Sequence, residues 1–133
     1  RLLLALPLGL ERGVQRDGLF VETAGYGMLE VKPFYDPNWD DARFKATSLI
    51  VNLTSALTGG YTLQTSNSPG AGTGTGGACF GDSGGPVFAG TTSRTIVAVV
   101  SFGLNSNCKG ADFAFRTDIA LTQDFLARFG VRR

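Results

Sequence analysis

Histidine is absent from all 133 residues. Nothing within the chain can therefore act as an imidazole base or an imidazole metal ligand. Cysteine is scarce, and Cys79 and Cys108 are too far apart for a CxxC redox or zinc arrangement. If paired, they close a loop of about thirty residues and stabilise by roughly 2–4 kcal/mol; two buried free thiols are the other reading. Charge of one sign is missing too, with 12 basic and 11 acidic residues giving a net +1. That balance offers no field to attract nucleic acid or an anionic membrane surface, and Arg132 and Arg133 read as a solvated end. Only one long apolar run exists, from Arg1 to Leu10. It looks like the core of a signal peptide but is too short to span a bilayer. It reads as a segment packed against a surface, with a remnant signal sequence as the second reading, and such an opening is expected of a chain preceded by something else.

What is present fits one cored domain. Hydrophobic residues make up 43% and charged residues 17%, with 19 glycines. Strands are expected at 19–23, 43–53, 61–64, 86–88, 94–102 and 113–115; the stretch Arg94–Phe102 is the richest in β-branched residues. Pro33–Asp41 and the Gly/Ser/Thr-rich run Ser66–Gly77 read as loops. From Thr117 the period changes. Thr117 or Asp118 can cap a helix whose face carries Leu121, Phe125, Leu126 and Phe129, and Gly130 stops it. Many short strands, glycine-rich turns and one terminal helix describe an all-β antiparallel barrel or sandwich. No internal repeat occurs.

The chemistry concentrates in Cys79-Phe-Gly81-Asp-Ser83-Gly-Gly-Pro86-Val87. This resembles the nucleophile loop of the trypsin/chymotrypsin family, whose hallmark is GDSGGP. Thr23-Ala-Gly25-Tyr-Gly27 resembles the family's early Gly-Trp-Gly, and Val99-Val-Ser101-Phe102-Gly103 its Val-Ser-Trp-Gly cleft edge. Asp112-Phe-Ala-Phe-Arg116 with the apolar helix after it resembles the last strand and C-terminal helix. Three other motif readings fail on context. Gly81-Asp-Ser83-Gly-Gly85 satisfies G-x-S-x-G, but Pro86 follows where a helix should start and there is no histidine. Gly72–Gly77 lacks the Lys-Ser/Thr of a phosphate cradle. Asp36–Asp40 opens like a calcium loop but lacks its glycine and closing glutamate. Asn52-Leu-Thr54 is a formal glycosylation acceptor at the end of an apolar run.

The resemblance implies a six-stranded antiparallel Greek-key barrel of the trypsin-like type with a C-terminal helix. Residues 1–18 become an interbarrel lead-in, 19–116 the C-terminal barrel and 117–133 the helix. It implies Ser83 as the nucleophile of a serine endopeptidase, with the amides of Gly81 and Ser83 as the oxyanion hole. Asp82 is implied as the partner of a new amino terminus in an activated zymogen, and Cys79–Cys108 as a disulfide. Gly77, Ala78, Phe80, Ser101, Phe102, Gly103 and Asp112 are the implied substrate-binding positions. An acidic residue at the pocket base, which selects Arg or Lys, is absent at Gly77. Counting back from Arg116 instead puts Asp112 on the opposite wall, so basic and apolar or small selection both stay open. Phe102 replaces the usual tryptophan, Ala114 a usual aromatic, and two common bridges are missing. The long loop is expected to be freer than in the digestive members. The resemblance calls for no cofactor or metal, for polypeptide substrates, and for secretion. The base and its orienting acid are expected from an N-terminal barrel carrying the catalytic His and Asp. The alternative is a non-catalytic protease-like binding domain.

Overall fold

The strands form where β-branched and small apolar residues alternate with polar ones. The computed structural model describes residues 19–29, 41–54, 57–70 and 72–131. The apolar opening, the lead-in 1–18, most of the Pro33–Asp41 loop and the two final arginines lie outside the described residues. Six strands follow in order: β1 (Phe20–Gly25), β2 (Phe44–Asn52), β3 (Thr62–Asn67), β4 (Pro86–Ala89), β5 (Ile96–Gly103) and β6 (Gly110–Arg116). A helix, α1 (Ala120–Ala127), ends the chain. All pairs are antiparallel and the sheet closes as a barrel in the order β1-β2-β3-β6-β5-β4. Closure removes both sheet edges, and Val21, Ile50, Leu63, Val87, Val97 and Phe113 fill the interior at 3% exposure or less.

Strands β3 and β6 are longer than their apolar residues suggest. Ser66 and Asn67 continue β3, and Gly110 to Asp112 begin β6, because the two strands pair along their full length from Thr62↔Phe115 to Asn67↔Gly110. Ladder pairing overrides weak local propensity here. The Gly/Ser/Thr run is also held more firmly than its composition suggests. Thr75 N–H donates to Thr47 O at 2.8 Å, Leu49 N–H to Thr73 O at 3.0 Å, and Ser48 Oγ to Gly76 O at 2.5 Å. Gly74 lies at φ +111°, and a Cβ there would fall 2.1 Å from Thr47 O. The run is stapled along β2 rather than free.

The helix differs from expectation at its start. Ile119 precedes it without a side-chain cap; Thr117 Oγ1 donates to Ile96 O instead, and Asp118 accepts two bonds from the Arg116 guanidinium at 2.9 and 2.8 Å. Its end follows the glycine rule. Gly130 sits at φ +73°, Gly130 N–H donates to Ala127 O and Val131 N–H to Leu126 O, the paired pattern of a Schellman stop. No residue of α1 is buried, and Leu121, Phe125 and Phe129 face outward.

Candidate active site

Two tight turns in succession display the serine. In the first, Asp82 N–H donates to Cys79 O at 3.1 Å; in the second, Gly85 N–H donates to Asp82 O at 2.9 Å. Each turn has glycine at its third position, Gly81 at φ +95° and Gly84 at φ +82°, a conformation that other residues adopt only with strain. Ser83 is the second residue of the second turn and is exposed. Gly84 N–H to Val100 O and Val100 N–H to Gly85 O, both 2.9 Å, lock the loop onto β5. Among the described residues, the amides of Phe80, Gly81 and Ser83 have no acceptor, whereas those of Cys79, Asp82, Gly84 and Gly85 are engaged.

Beyond Val100, β5 leaves the core and ends exposed through Ser101, Phe102 and Gly103. Its register with β6 shifts between Val100↔Ala114 and Phe102↔Phe113. One extra residue, Ser101, bulges there and turns the strand end toward the serine loop. The Phe102 ring stacks on Phe113 at 4.6 Å with 2° between planes. A cavity of about 270 Å³ opens between these segments, with Ser83 at one side and Asp112 at another. Ala78, Phe80, Ser101, Phe102 and Gly103 also line it. Gly77 does not; it lies behind Asp112 and lines a larger neighbouring cavity. The reason is contact: a Cβ on Gly77 would sit 2.1 Å from Asp112 Oδ2.

Asp112 is buried. Its Oδ2 accepts Ala78 N–H at 2.7 Å and its Oδ1 accepts Asn67 Nδ2 at 3.0 Å. Burial raises its pKa above the ordinary 3.8; the bonds from Ala78 and Asn67 oppose this, and the negative charge of Asp82 adds to it. Asn67 also donates to Ala78 O at 2.9 Å, so one side chain fixes both the carboxylate and the wall beside it. Sequence reading missed Asn67. Its signal was a polar residue two places after Thr65, on a strand whose partner carries Asp112 opposite Thr65.

Asp82 turns inward. Oδ1 accepts Gly27 N–H and Oδ2 accepts Cys79 N–H, both at 2.9 Å. No basic side chain among the described residues reaches it. Gly25 and Gly27 make room: a Cβ on Gly25 would lie 1.9 Å from Oδ1, and one on Gly27 2.5 Å from Cγ. The carboxylate borders the larger cavity, of about 550 Å³. Cys79 and Cys108 are bonded at 2.09 Å. The bridge fastens the serine loop to the 104–109 turn and borders both cavities. Among the described residues no three His, Cys, Asp or Glu side chains gather as metal ligands.

The closed antiparallel barrel thus displays a serine on paired glycine turns beside a side-chain-sized cavity. The family model described as Trypsin matches residues 24–126, and the chain belongs to that family, as a C-terminal half. A solved structure described as HL collagenase at 1.7 Å superposes with a TM-score of 0.62 at 19% identity, over 96% of this chain and 53% of that one. The chain thus spans about half the length of that structure, and the likeness shows the barrel fold. No curated protein matches the chain.

Proposed function

We propose that this chain is the nucleophile-bearing half of a serine endopeptidase that hydrolyses peptide bonds through an acyl-enzyme on Ser83. The observation that carries the reading is an exposed serine on two consecutive glycine turns, with the Gly81 and Ser83 amides left without an acceptor among the described residues. Such preorganised donors stabilise the oxyanion that forms when a serine oxygen adds to a carbonyl. Ser83 Oγ attacks the carbonyl carbon and its proton passes to a base; collapse expels the amine, which takes that proton, and water then releases the acid by the reverse sequence. With no histidine in the sequence, the base and its orienting acid come from an N-terminal barrel. The isolated chain is then nearly inactive.

Asp82 fits the role of activation partner. Its carboxylate borders the larger cavity, and its hydrogen-bond partners among the described residues are the Gly27 and Cys79 amides. An ammonium created by cleavage of a propeptide would bring it a counter-charge. Family membership and the disulfide support secretion and a zymogen stage.

The test uses the protein of the complete reading frame, matured and treated with a fluorophosphonate, with the label mapped by peptide mass spectrometry. Labelling at Ser83, lost in Ser83→Ala, is expected. A folded, matured protein that takes no label would leave a non-catalytic binding domain as the reading.

A further inference from the structure

The terminal helix turns polar residues toward the barrel. In α1 the half-buried positions are Thr122, Gln123 and Leu126. Thr122 Oγ1 donates to Arg116 O at 2.9 Å, and Gln123 Nε2 donates to Thr117 O. The outer side carries Leu121, Phe125 and, just past the helix, Phe129, exposed at 62%, 57% and 71%. Spaced by four, they form one stripe, and the Phe125 and Phe129 ring centroids lie 5.0 Å apart. An amphipathic helix normally turns such a stripe inward. Contiguous apolar groups left on the outside mark a contact surface.

Position and pattern name what covers it. Ile50 N–H donates to Leu19 O at 2.8 Å and Gly90 N–H to Phe20 O at 3.0 Å. Gly90 follows β4, and Ile96, the first residue of β5, accepts the Thr117 hydroxyl. Leu19 and Thr117 therefore stand at one end of the barrel, and the Ser83 loop, which leads into β4, stands at the other. Strands β1 and β6 are three places apart round the wall, or about 15 Å at the usual strand spacing. Residues 11–18 join Leu19 to the apolar opening, and a chain of that length reaches up to about 28 Å. The opening is thus tethered within reach of α1. Its leucines fall at 2, 4, 6, 8 and 10, with Leu3, Ala5, Pro7 and Gly9 between them. On an extended path this period of two collects leucine on one side, and Pro7 opposes a helical path. A short tether also gives the segment a high effective concentration at the stripe, which a second copy lacks in dilute solution.

We propose that the opening segment, Leu2 to Leu10, seats its leucines on the outward stripe of α1, so that the helix clamps the chain where it enters the barrel. The stripe is then an intramolecular docking surface, and its aromatic residues hold the entry of the chain at the end opposite Ser83. This does not rest on the peptidase reading, since the stripe takes no part in the serine site.

The test places the photo-crosslinker p-benzoylphenylalanine at Phe125 of the full-length protein, irradiates it, and identifies the captured peptide by mass spectrometry. Asp124, exposed beside the stripe, carries the same group as the control. Phe125 is expected to capture residues 2–10 within one molecule, and Asp124 to lose that product. Capture of an N-terminal barrel, of a second copy or of nothing at Phe125 overturns the inference, as does equal capture at Asp124. If the Phe125 variant does not fold, the same group at Leu121, on the same stripe, decides by the same outcomes. Fluorophosphonate labelling of the same samples tests the peptidase reading separately.

Discussion

Gly25→Ala separates two reasons for which this chain uses glycine. At Gly25 the obstacle is space: a Cβ would lie 1.9 Å from Asp82 Oδ1 and 2.9 Å from Cγ. The barrel closes around that point, with Gly25 paired to Phe44 across β1 and β2, so the Asp82 side chain must give way. Moving it breaks the bonds from Gly27 and Cys79, both 2.9 Å. Bonds to a charged group contribute about 1.5–3 kcal/mol each; with water replacing part of the loss, the variant should be destabilised by about 3 kcal/mol. Gly90→Ala is the control. Gly90 lies at φ +68° with nothing within 4 Å of a Cβ, so only backbone strain of about 1–2 kcal/mol applies. Activity sharpens the contrast. The Cys79–Asp82 turn carries Gly81, so displacing Asp82 tilts the amide proposed above as an oxyanion donor. The fluorophosphonate labelling rate should fall by about 100-fold in Gly25→Ala and stay near wild type in Gly90→Ala. Urea unfolding and labelling of the mature full-length protein provide both readings. Equal stability and equal labelling in the two variants would refute the view that the Gly25–Gly27 segment exists to seat Asp82.

Removing the bridge by Cys79→Ser with Cys108→Ser opens a loop of 29 residues and should cost about 3–4 kcal/mol from chain entropy. Because the bridge fastens the serine loop to the 104–109 turn, fluorophosphonate labelling of the mature full-length protein should slow with it, read under native conditions. The raised pKa of Asp112 gives stability a pH dependence of one sign. Folding favours its protonated form, so its contribution to stability is fully present below the ordinary 3.8 and is lost as pH rises through the folded pKa. Asp82, the charged group acting on it across Gly77–Cys79, shifts the midpoint but not the sign. Asp112→Asn should flatten that trend, followed by a pH titration of the thermal midpoint.

The readable parts of this sequence are those where one residue type answers one local demand. Val97, Ala98 and Val100 announce a buried strand by branching and size, and β5 is there. Gly81 and Gly84 fall in the glycine-rich serine loop, and the structure adds that both sit at positive φ in successive turns. Gly130 announces a helix stop and makes one. What stayed hidden depends on residues distant in sequence. Nothing near Gly25 states that a carboxylate 57 positions later needs its missing side chain, and nothing near Gly74 states that Thr47 O will lie against it. Asn67 looked like loop because its worth appears only once β6 lies beside it. Asp112 shows the boundary between the two kinds of knowledge. Counting from Arg116 placed it on a pocket wall, but counting could not choose among the side chains that pocket accepts. The choice turns on the partners of its two oxygens, and both bonds come from segments at least 34 residues away. Long-range hydrogen bonding, more than residue identity, holds this carboxylate against the cavity beside Ser83 rather than out in solvent.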